Sequence, residues 1–558
     1  MSDTGRTVPG VPAVSTVSTV STVLYVRLPV WKIWPGGVVY LADFIHKQRP
    51  GVRQHILDLA LVPAGERKAE LARCIEAVRP DVVAFSWRNM QTFGPHPEND
   101  ALDVVMNYDH SRSPWRRARA AWQAVGIIWD YAAARLRNFA FLRLARRLAP
   151  AARLVVGGTA VSIFARYVAE RCPRDTVVVV GEGEEAMLSV VDGFAVPAGH
   201  HYHKDRDGRI THHPAEENFD LGRLTAVDFP YVESIFPGFP EYVGPGATIG
   251  VHTKRGCPFQ CHFCLYNKIE GGRQRLRDPA EVAKEIEVLN KRYGVRHIWF
   301  TDAQFCSTRR SMHHVEEILD QMLARGTDVR WTGYLRLNHL TPGIARKMLR
   351  SGLESVDLSF TGTQDMIDSL TLGYDLEQQM AAFRLFRDAA RAEGSGGAGP
   401  LKIKLYLPLN APGETPATLK ATVERIRELY GLFGRENVLP FIFFIGIQPG
   451  TPIEARLKEA GYLPRDYDPL TLNPFTIKKL LFNPGPLGRM IARAYLEALE
   501  YSSKGEDPAG EYVGRATMEN IEREIRRLPA SVPEGQGAPR AVPSQGIKQV
   551  IRLQNQAT

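Results

Sequence analysis

Short apolar runs and longer amphipathic runs alternate along two stretches of this chain. In the first, apolar runs at residues 23–30, 52–60, 81–86, 154–156 and 176–180 read as strands. Segments with apolar residues on one helical stripe lie between them, at 36–47, 64–78, 138–148 and 163–171. Strands that alternate with helices predict a parallel, doubly wound sheet. The alternation breaks at about residues 89–138. That insertion is polar over 91–110 and helical over 115–136. It carries Trp115, Trp122 and Trp129 at seven-residue spacing, close to one helical face, which predicts a stripe packed on the domain.

The alternation returns from residue 247 to about 452. Strands are predicted at 247–251, 297–301, 330–335, 355–360, 402–407 and 440–447. Helices are predicted at 279–293, 311–325, 342–351, 376–392 and 416–430. Asp278 suits the cap of the first helix and Pro279 its first turn. Residues 196–246 between the two stretches read as a linker, with a β-hairpin turning at Asp207-Gly208. Its histidines (His200, His201, His203, His212 and His213) repeat no known metal spacing. Residues 453–527 read as a mostly helical appendage, with amphipathic helices at 489–501 and 516–527. Residues 1–22, 394–399 and 528–558 are Gly-, Pro- or Ser/Thr-rich, and are expected to be a disordered tail, a flexible loop and a second disordered tail.

Composition narrows the class. At 558 residues, 44% hydrophobic and 23% charged, the chain is expected to form several soluble domains. No apolar run approaches the roughly 20 residues that span a bilayer. Residues 1–23 have no basic segment followed by an apolar core, so no secretory leader is expected. Six cysteines in this length make no disulfide framework and fit a reducing cytoplasm. A net charge of +9 permits an acidic ligand without arguing for nucleic acid.

Three of those cysteines carry the chemistry. Cys257, Cys261 and Cys264 stand in a C-x3-C-x2-C loop directly after the strand at 247–251. Iron–sulfur clusters usually take four cysteines, so three would leave one iron open to another ligand. Zinc prefers four tetrahedral Cys/His ligands, for which His262 is poorly spaced. A metal-free loop also stays open at this point. The motif resembles that of the radical S-adenosylmethionine (AdoMet) enzymes, with Phe263 as the aromatic before the last cysteine. The resemblance implies a [4Fe-4S] cluster on the three cysteines, AdoMet at the free iron, and a partial (β/α)6 barrel over 247–452. By the same resemblance Phe263 lies near adenine, and Asp302 ends the strand that approaches the AdoMet amine. Arg336 is expected at the AdoMet carboxylate, and Ser359 and Thr361 at the ribose. Glu270 is expected to cap the open iron when AdoMet does not.

Upstream, Gly157-Gly158-Thr159 and Gly181-Glu182-Gly183-Glu184 each follow a strand. In open α/β sheets ligands lie at the carboxyl ends of strands, and neither turn is G-x-G-x-x-G. In this position they resemble the Rossmann-like cobalamin domain of cobalamin-dependent radical AdoMet enzymes, which implies cobalamin binding over 23–195. Ser86, Gly157, Gly158, Thr159, Gly181, Glu182 and Gly183 become candidate contacts. Many cobalamin proteins place Asp-x-His-x-x-Gly after the first strand; residues 29–36 here hold no histidine. Arg88, just past Ser86, is then expected to face cobalt from below, where a guanidinium is a poor ligand. That replacement is associated with the tryptophan 2-C-methyltransferase branch of thiopeptide biosynthesis.

The resemblance implies a cytoplasmic C-methyltransferase that moves a methyl group from AdoMet through methylcobalamin to carbon, with indole C2 of tryptophan as the favoured acceptor. Arg88 and Glu270 are its candidate catalytic residues. The substrate is a small molecule or a peptide, and an external donor such as flavodoxin supplies electrons. Neither nucleic acid nor membrane is an expected partner. Four rivals remain: radical methylation of an sp3 carbon, a non-methylating cobalamin radical enzyme, an RNA-modifying radical enzyme, and a cobalamin or redox sensor. Cys74, Cys172 and Cys306 are too scattered for a second cluster.

Overall fold

The first strand, β1 (Thr22–Arg27), is buried at every position. Val23 and Tyr25 face one core, Leu24 and Val26 another. A sheet covered on both faces requires such a near-continuous apolar run. In this computed structural model, which describes residues 20–88, 101–215, 217–393, 400–470, 478–502 and 511–527, the run continues into α1 (Gly36–Gln48), β2 (Arg53–Asp58), α2 (Arg67–Val78) and β3 (Val82–Ser86). The insertion contributes α3 (Ala101–His110) and α4 (Pro114–Leu148). Then follow β4 (Arg153–Gly157), α5 (Thr159–Ile163), α6 (Ala165–Arg171), β5 (Thr176–Val179) and α7 (Glu184–Val191). Strands β6 (His201–Lys204) and β7 (Ile210–His213) form the hairpin.

The sheet order is β2-β1-β3-β4-β5-β6-β7, parallel through β5. The chain reverses direction across the sheet between β1 and β3, the place where open α/β sheets take ligands at their strands' carboxyl ends. Two expectations change. The hairpin lies outside any linker, because β6 pairs antiparallel with β5 and extends the sheet. Residues 219–242, with α8 (Phe229–Ile235), also form no loose linker. Phe219, Leu221, Phe229, Phe236 and Phe239 are buried in the core shared with α1 and the second domain.

The insertion departs further. Residues 101–110 form a helix where polarity predicts none, and residues 114–148 form one continuous helix rather than two. Asn138, at the expected break, is buried and does not interrupt it. The tryptophan stripe is not packed on the domain. Trp115, Trp122 and Trp129 are 86%, 79% and 72% exposed. The opposite face, through Ala120, Tyr131 and Arg135, takes the burial instead.

The second domain begins with β8 (Thr248–Val251), the short pair β9 (Lys254–Arg255) and β10 (Arg275–Leu276), and α9 (Tyr266–Ile269) between them. It continues through α10 (Pro279–Tyr293), β11 (His297–Phe300), α11 (Arg309–Ala324), β12 (Arg330–Gly333) and α12 (Pro342–Arg350). Then come β13 (Ser355–Ser359), α13 (Gln364–Ser369), α14 (Leu376–Glu393), β14 (Lys402–Leu409), α15 (Pro416–Phe433) and β15 (Val438–Phe444). Two parallel three-stranded sheets, β8-β11-β12 and β13-β14-β15, meet through bridges Trp331–Leu353 and Tyr334–Asp357. The result is a six-strand arc with helices outside. Asp278 caps α10 as the sequence predicts, accepting from Ala280 and Glu281 N–H at 2.8 and 3.2 Å.

Helices α16 (Pro452–Glu459), α17 (Gly485–Ser502) and α18 (Glu511–Arg527) complete the chain. Helix α17 also packs on α3, where Tyr495 donates to Asp103 at 2.5 Å. Residues 1–19 of the first tail, the second tail and the loop 394–399 lie outside the described residues, as do residues 89–100 of the insertion, whereas Thr22, placed in the first tail by the sequence, is the buried start of β1.

The two domains share a buried charged seam. Arg277 donates to His252 O at 2.8 Å and Glu285 Oε2 at 2.7 Å, and Tyr40 of α1 donates to the other Glu285 oxygen. Both members of the ion pair are almost wholly buried. Losing one partner strands the other charge. Replacement of Glu285 by Ala is expected to destabilise the protein by about 3–5 kcal/mol, read from chemical denaturation. A loss below about 1 kcal/mol, the range of surface ion pairs, would contradict this account.

Candidate functional site

Strand β8 leads straight into the cysteine loop, and the β9–β10 pairing closes its base. Gly256 sits at φ +89, and a Cβ there would lie 2.1 Å from Arg273 O. Only glycine lets the two sides of the loop meet at that point. Within the loop Cys257 N–H donates to Gly271 O, and Gly256 N–H to Glu270 Oε2 at 3.1 Å. Cys264 N–H donates to Cys261 O, His262 N–H to Leu370 O, and Thr371 Oγ1 to Gln260 O. The loop is therefore anchored to α13 and its following turn.

Cys257 is buried, and Cys261 and Cys264 are half-buried. Burial raises all three thiols, Cys264 to about 12, and the Arg336 guanidinium opposes the rise at Cys261. Among the described residues no three Cys, His, Asp or Glu converge as ligands of a single ion. A zinc-type centre needs such convergence, with sulfur about 2.3 Å from the metal. An iron–sulfur cube instead binds each thiolate through a different iron. Three free thiols on one curled loop beside a guanidinium fit the cube.

The other predicted residues fall into two groups. Arg336, Ser359, Thr361 and Cys261 gather round Tyr374, which sequence reasoning did not single out. Arg336 stacks 3.6 Å over Phe259, donates to Leu372 O and lies 5.8 Å from the Tyr374 ring. Tyr374 donates to Ser359 O at 3.3 Å, and Thr361 interacts with it through the backbone. The Thr361 hydroxyl is buried with no partner among the described residues. Phe263 meets Phe443 edge-on at 5.8 Å. Glu270 reaches the loop through Gly256, and burial lifts its carboxyl to about 7.

Asp302 stands apart. It accepts from Thr253 N–H, Thr253 Oγ1, Lys254 N–H and Lys254 Nζ, at 2.6–3.2 Å. Both oxygens are occupied, so a ligand amine would have to displace one of these donors. The carboxylate serves as the anchor between β11 and the cysteine loop.

The glycine turns of the first domain also have internal explanations. At Gly158, φ +109, a Cβ would stand 2.7 Å from Trp87 O. At Gly181, φ +75, it would stand 3.0 Å from Ile269 O of α9. The Glu182 carboxylate accepts from Arg275 at 2.6 and 2.8 Å, Arg255 at 3.1 Å and Phe219 N–H at 3.0 Å. It presents no open carboxylate to a cofactor, and ties the turn to the cysteine-loop hairpin instead. Glu184 adds a 2.7 Å bond to Arg255. Gly157 O accepts from Trp87 N–H, Ser86 O accepts from Leu28 N–H, and Gly183 and Thr159 flank helix starts. Arg88 is exposed beyond β3, at the reversal point, and its charge acts on the Tyr266 phenol of α9. The carboxyl ends of the first domain's strands thus lie beside the helix that follows the three cysteines.

The inner face of the barrel is the part sequence reasoning missed. Trp299, Tyr334, Tyr406 and Phe441 form a continuous run of ring contacts at 5.4–5.6 Å. All four are only half-buried, whereas their strand neighbours Phe300, Leu335, Leu405 and Val438 are buried outward. Asp357 lies at the centre. It accepts from Thr332 Oγ1 at 3.0 Å and Tyr406 OH at 3.3 Å, with Lys404 Nζ at 3.8 Å. The usable signal was a period-two placement of polar or aromatic residues inside otherwise apolar strands.

Residues 251–429 match the Radical SAM superfamily profile. Over that stretch the chain resembles a radical SAM domain. The uncharacterized methyltransferase PH0819 of Pyrococcus horikoshii is 24% identical over 287 residues, 50% of this chain and 58% of the relative. The chain spans about half the length of the first curated relatives it matches. Two solved structures share the fold. The cobalamin-dependent AdoMet radical enzyme OxsB, with aqua-cobalamin and AdoMet bound, has TM-score 0.59 at 14% identity over 95% of this chain and 78% of its own. The methyltransferase TsrM from Kitasatospora setae, with tryptophan substrate and an AdoMet analogue bound, has TM-score 0.58 at 18% identity, covering 78% and 76%. The radical SAM domain and its upstream sheet therefore have the architecture of those two enzymes.

Replacement of Cys257, Cys261 or Cys264 by Ala is expected to abolish the iron content and visible absorption of anaerobically reconstituted protein. Cys306→Ala, buried beside Arg336 O, is expected to retain both. Iron retained in any of the three loop variants would refute the assignment.

A second expectation concerns Glu414, which accepts from Asn410 N–H and is lifted by burial to about 8. The folded state holds this proton while the unfolded chain, at its ordinary 4.5, releases it. Its contribution to stability therefore falls as pH rises from about 4.5 to 8. Denaturation midpoints across that window should show a flatter decline in Glu414→Gln; an unchanged slope would exclude Glu414 as its source.

Proposed function

We propose that this chain is a cobalamin-dependent radical SAM C-methyltransferase, with indole C2 of tryptophan as acceptor. The observation that carries the reading is the meeting of two sites. Gly181, after β5, touches α9 directly behind the cysteine loop, and the Tyr266 phenol of α9 lies in the field of both Arg88 and Tyr334 of the half-buried aromatic wall.

Cys257, Cys261 and Cys264 hold the [4Fe-4S] cluster. Arg336, Ser359, Thr361 and Phe263 surround AdoMet, and the partnerless Thr361 hydroxyl suits a ribose oxygen. Cobalamin, when bound, supplies a cobalt centre that carries the methyl group between AdoMet and carbon. Arg88, exposed past β3, would line the cobalamin site, and a guanidinium would not ligate the metal there as a neutral base does. Trp299, Tyr334, Tyr406 and Phe441 accept a flat ring by edge and face contacts. Asp357, fully buried behind this wall and occupied by Thr332, Ser355, Tyr406 and Lys404, fixes the orientation of the Tyr406 ring. This wall favours an electron-rich aromatic acceptor over an aliphatic one. Tryptophan bound as substrate in the TsrM structure supports the same choice. Glu270, whose carboxylate already touches the cysteine loop at Gly256, is the candidate to occupy the open iron without AdoMet.

The decisive experiment combines anaerobically reconstituted protein, cobalamin, AdoMet, a low-potential reductant and free tryptophan, with products followed by mass spectrometry. Methyltryptophan with S-adenosylhomocysteine and no 5′-deoxyadenosine is expected. Tyr406→Ala is expected to raise KM for tryptophan about tenfold while cofactor binding is kept, a loss of about 1.4 kcal/mol of recognition. Deoxyadenosine without S-adenosylhomocysteine would replace the reading with non-methylating radical chemistry. Both nucleosides without methyltryptophan would move the acceptor to another carbon.

A further inference from the structure

The face of α4 that carries Trp115, Trp122 and Trp129 is a seam with no place in the chemistry above. The three tryptophans and Leu136 recur every seven residues, and Ala118, Val125 and Ala132 fall three residues after each tryptophan. That is the a/d pattern of a two-helix coiled coil. Trp115, Ala118, Trp122, Val125, Trp129 and Leu136 are all exposed. The pattern drifts about 20° per heptad on a straight helix. Accordingly the next seam residue, Phe139, is buried, packing on Trp87 at 5.2 Å.

We infer that this seam pairs with the same seam of a second copy of the chain, antiparallel, to form a dimer. Size and charge both select that occupant. In an antiparallel pair, a positions of one helix pack against d positions of the other. Centred between residues 123 and 124, the pairing sets Trp115 against Ala132, Trp129 against Ala118 and Trp122 against Val125. Every large side chain meets a small one, as close packing requires. Parallel pairing stacks Trp on Trp in one layer and Ala on Ala in the next, which leaves voids. In the antiparallel arrangement the flanking Arg119 faces Gly126 and Ala133, and Ala121 faces Ile128. No arginine of one seam opposes an arginine of the other, although α4 is rich in them. An aromatic side chain buries about 150–250 Å², so three tryptophans supply roughly 450–750 Å² per copy. With Val125 the seam approaches the ≈ 800 Å² per partner of a stable interface.

The full-length protein is expected to sediment at twice the 62.3 kDa of one chain. Trp122→Glu with Trp129→Glu is expected to give the monomer with an unchanged circular dichroism spectrum, since both side chains are solvent-exposed. Orientation is read by cysteine crosslinking. A side chain at Gly126 enters open space, and the antiparallel register brings residue 126 beside residue 119 of the second copy. Arg119→Cys combined with Gly126→Cys should therefore crosslink to a dimer on a non-reducing gel and Ala118→Cys should not. The reverse result, a wild-type monomer, or a dimer that survives the double glutamate variant would each overturn the inference. So would a monomer that floats with phosphatidylglycerol vesicles through these tryptophans.

Discussion

Two guanidinium groups and two carboxylates, withdrawn from solvent where the sheet meets the barrel, hold the arrangement together. Glu182 and Glu184 sit on the turn after β5, and Arg255 and Arg275 on the hairpin that closes the cysteine loop. Buried charges are tolerated only when each meets its complement at close range. That requirement fixes the turn against the hairpin to within a hydrogen bond. Phe219 joins the same web through its N–H and carbonyl, so the connecting segment is pinned as well. The reversal point at Arg88 and the three cysteines keep their relation because this web cannot slide without stranding a charge.

Around it, backbone approaches finer than a methyl group set the loops. The cysteine loop closes through Gly256, the β3 exit lies on Gly158, and α9 approaches Gly181. Each contact excludes a side chain at the glycine. The glycine turns thus shape the carboxyl end of the sheet through the chain segments they admit. Asp302 belongs to this scaffold too, because four donors fasten its carboxylate between β11 and the loop.

The exposed seam on α4 and the buried seam around Arg277 show opposite solutions to surface chemistry. Arg277 carries charge into a dry interface and is matched there by Glu285 and by backbone carbonyls. The tryptophans carry apolar area into water on a helix whose other face already supplies its packing. Exposed apolar patches of this extent mark interaction surfaces. Helix α4 is also linked to the barrel side, since Arg116 pairs with Glu500 of α17.

The fold class, the strand–helix alternation of both domains and the cysteine loop were all legible in the order of residues. These rest on local rules: apolar runs need two covered faces, helical stripes need one, and three thiols at short spacing need only a curled loop. The Asp278 cap was legible for the same reason, being a contact within three residues. Features that depend on distant neighbours emerged only from packing. Residues 196–246 look like a linker because their polarity is high, yet the hairpin satisfies its backbone by pairing with β5. Glu182 reads as a ligand until two arginines more than 70 residues away occupy it. The tryptophan spacing showed that one face of α4 was apolar but not which face the domain would cover. Tyr374 and the inner wall of Trp299, Tyr334, Asp357 and Tyr406 come together only when separate strands close into an arc. Periodicity names the face of a single strand, and only packing says which faces look at one another.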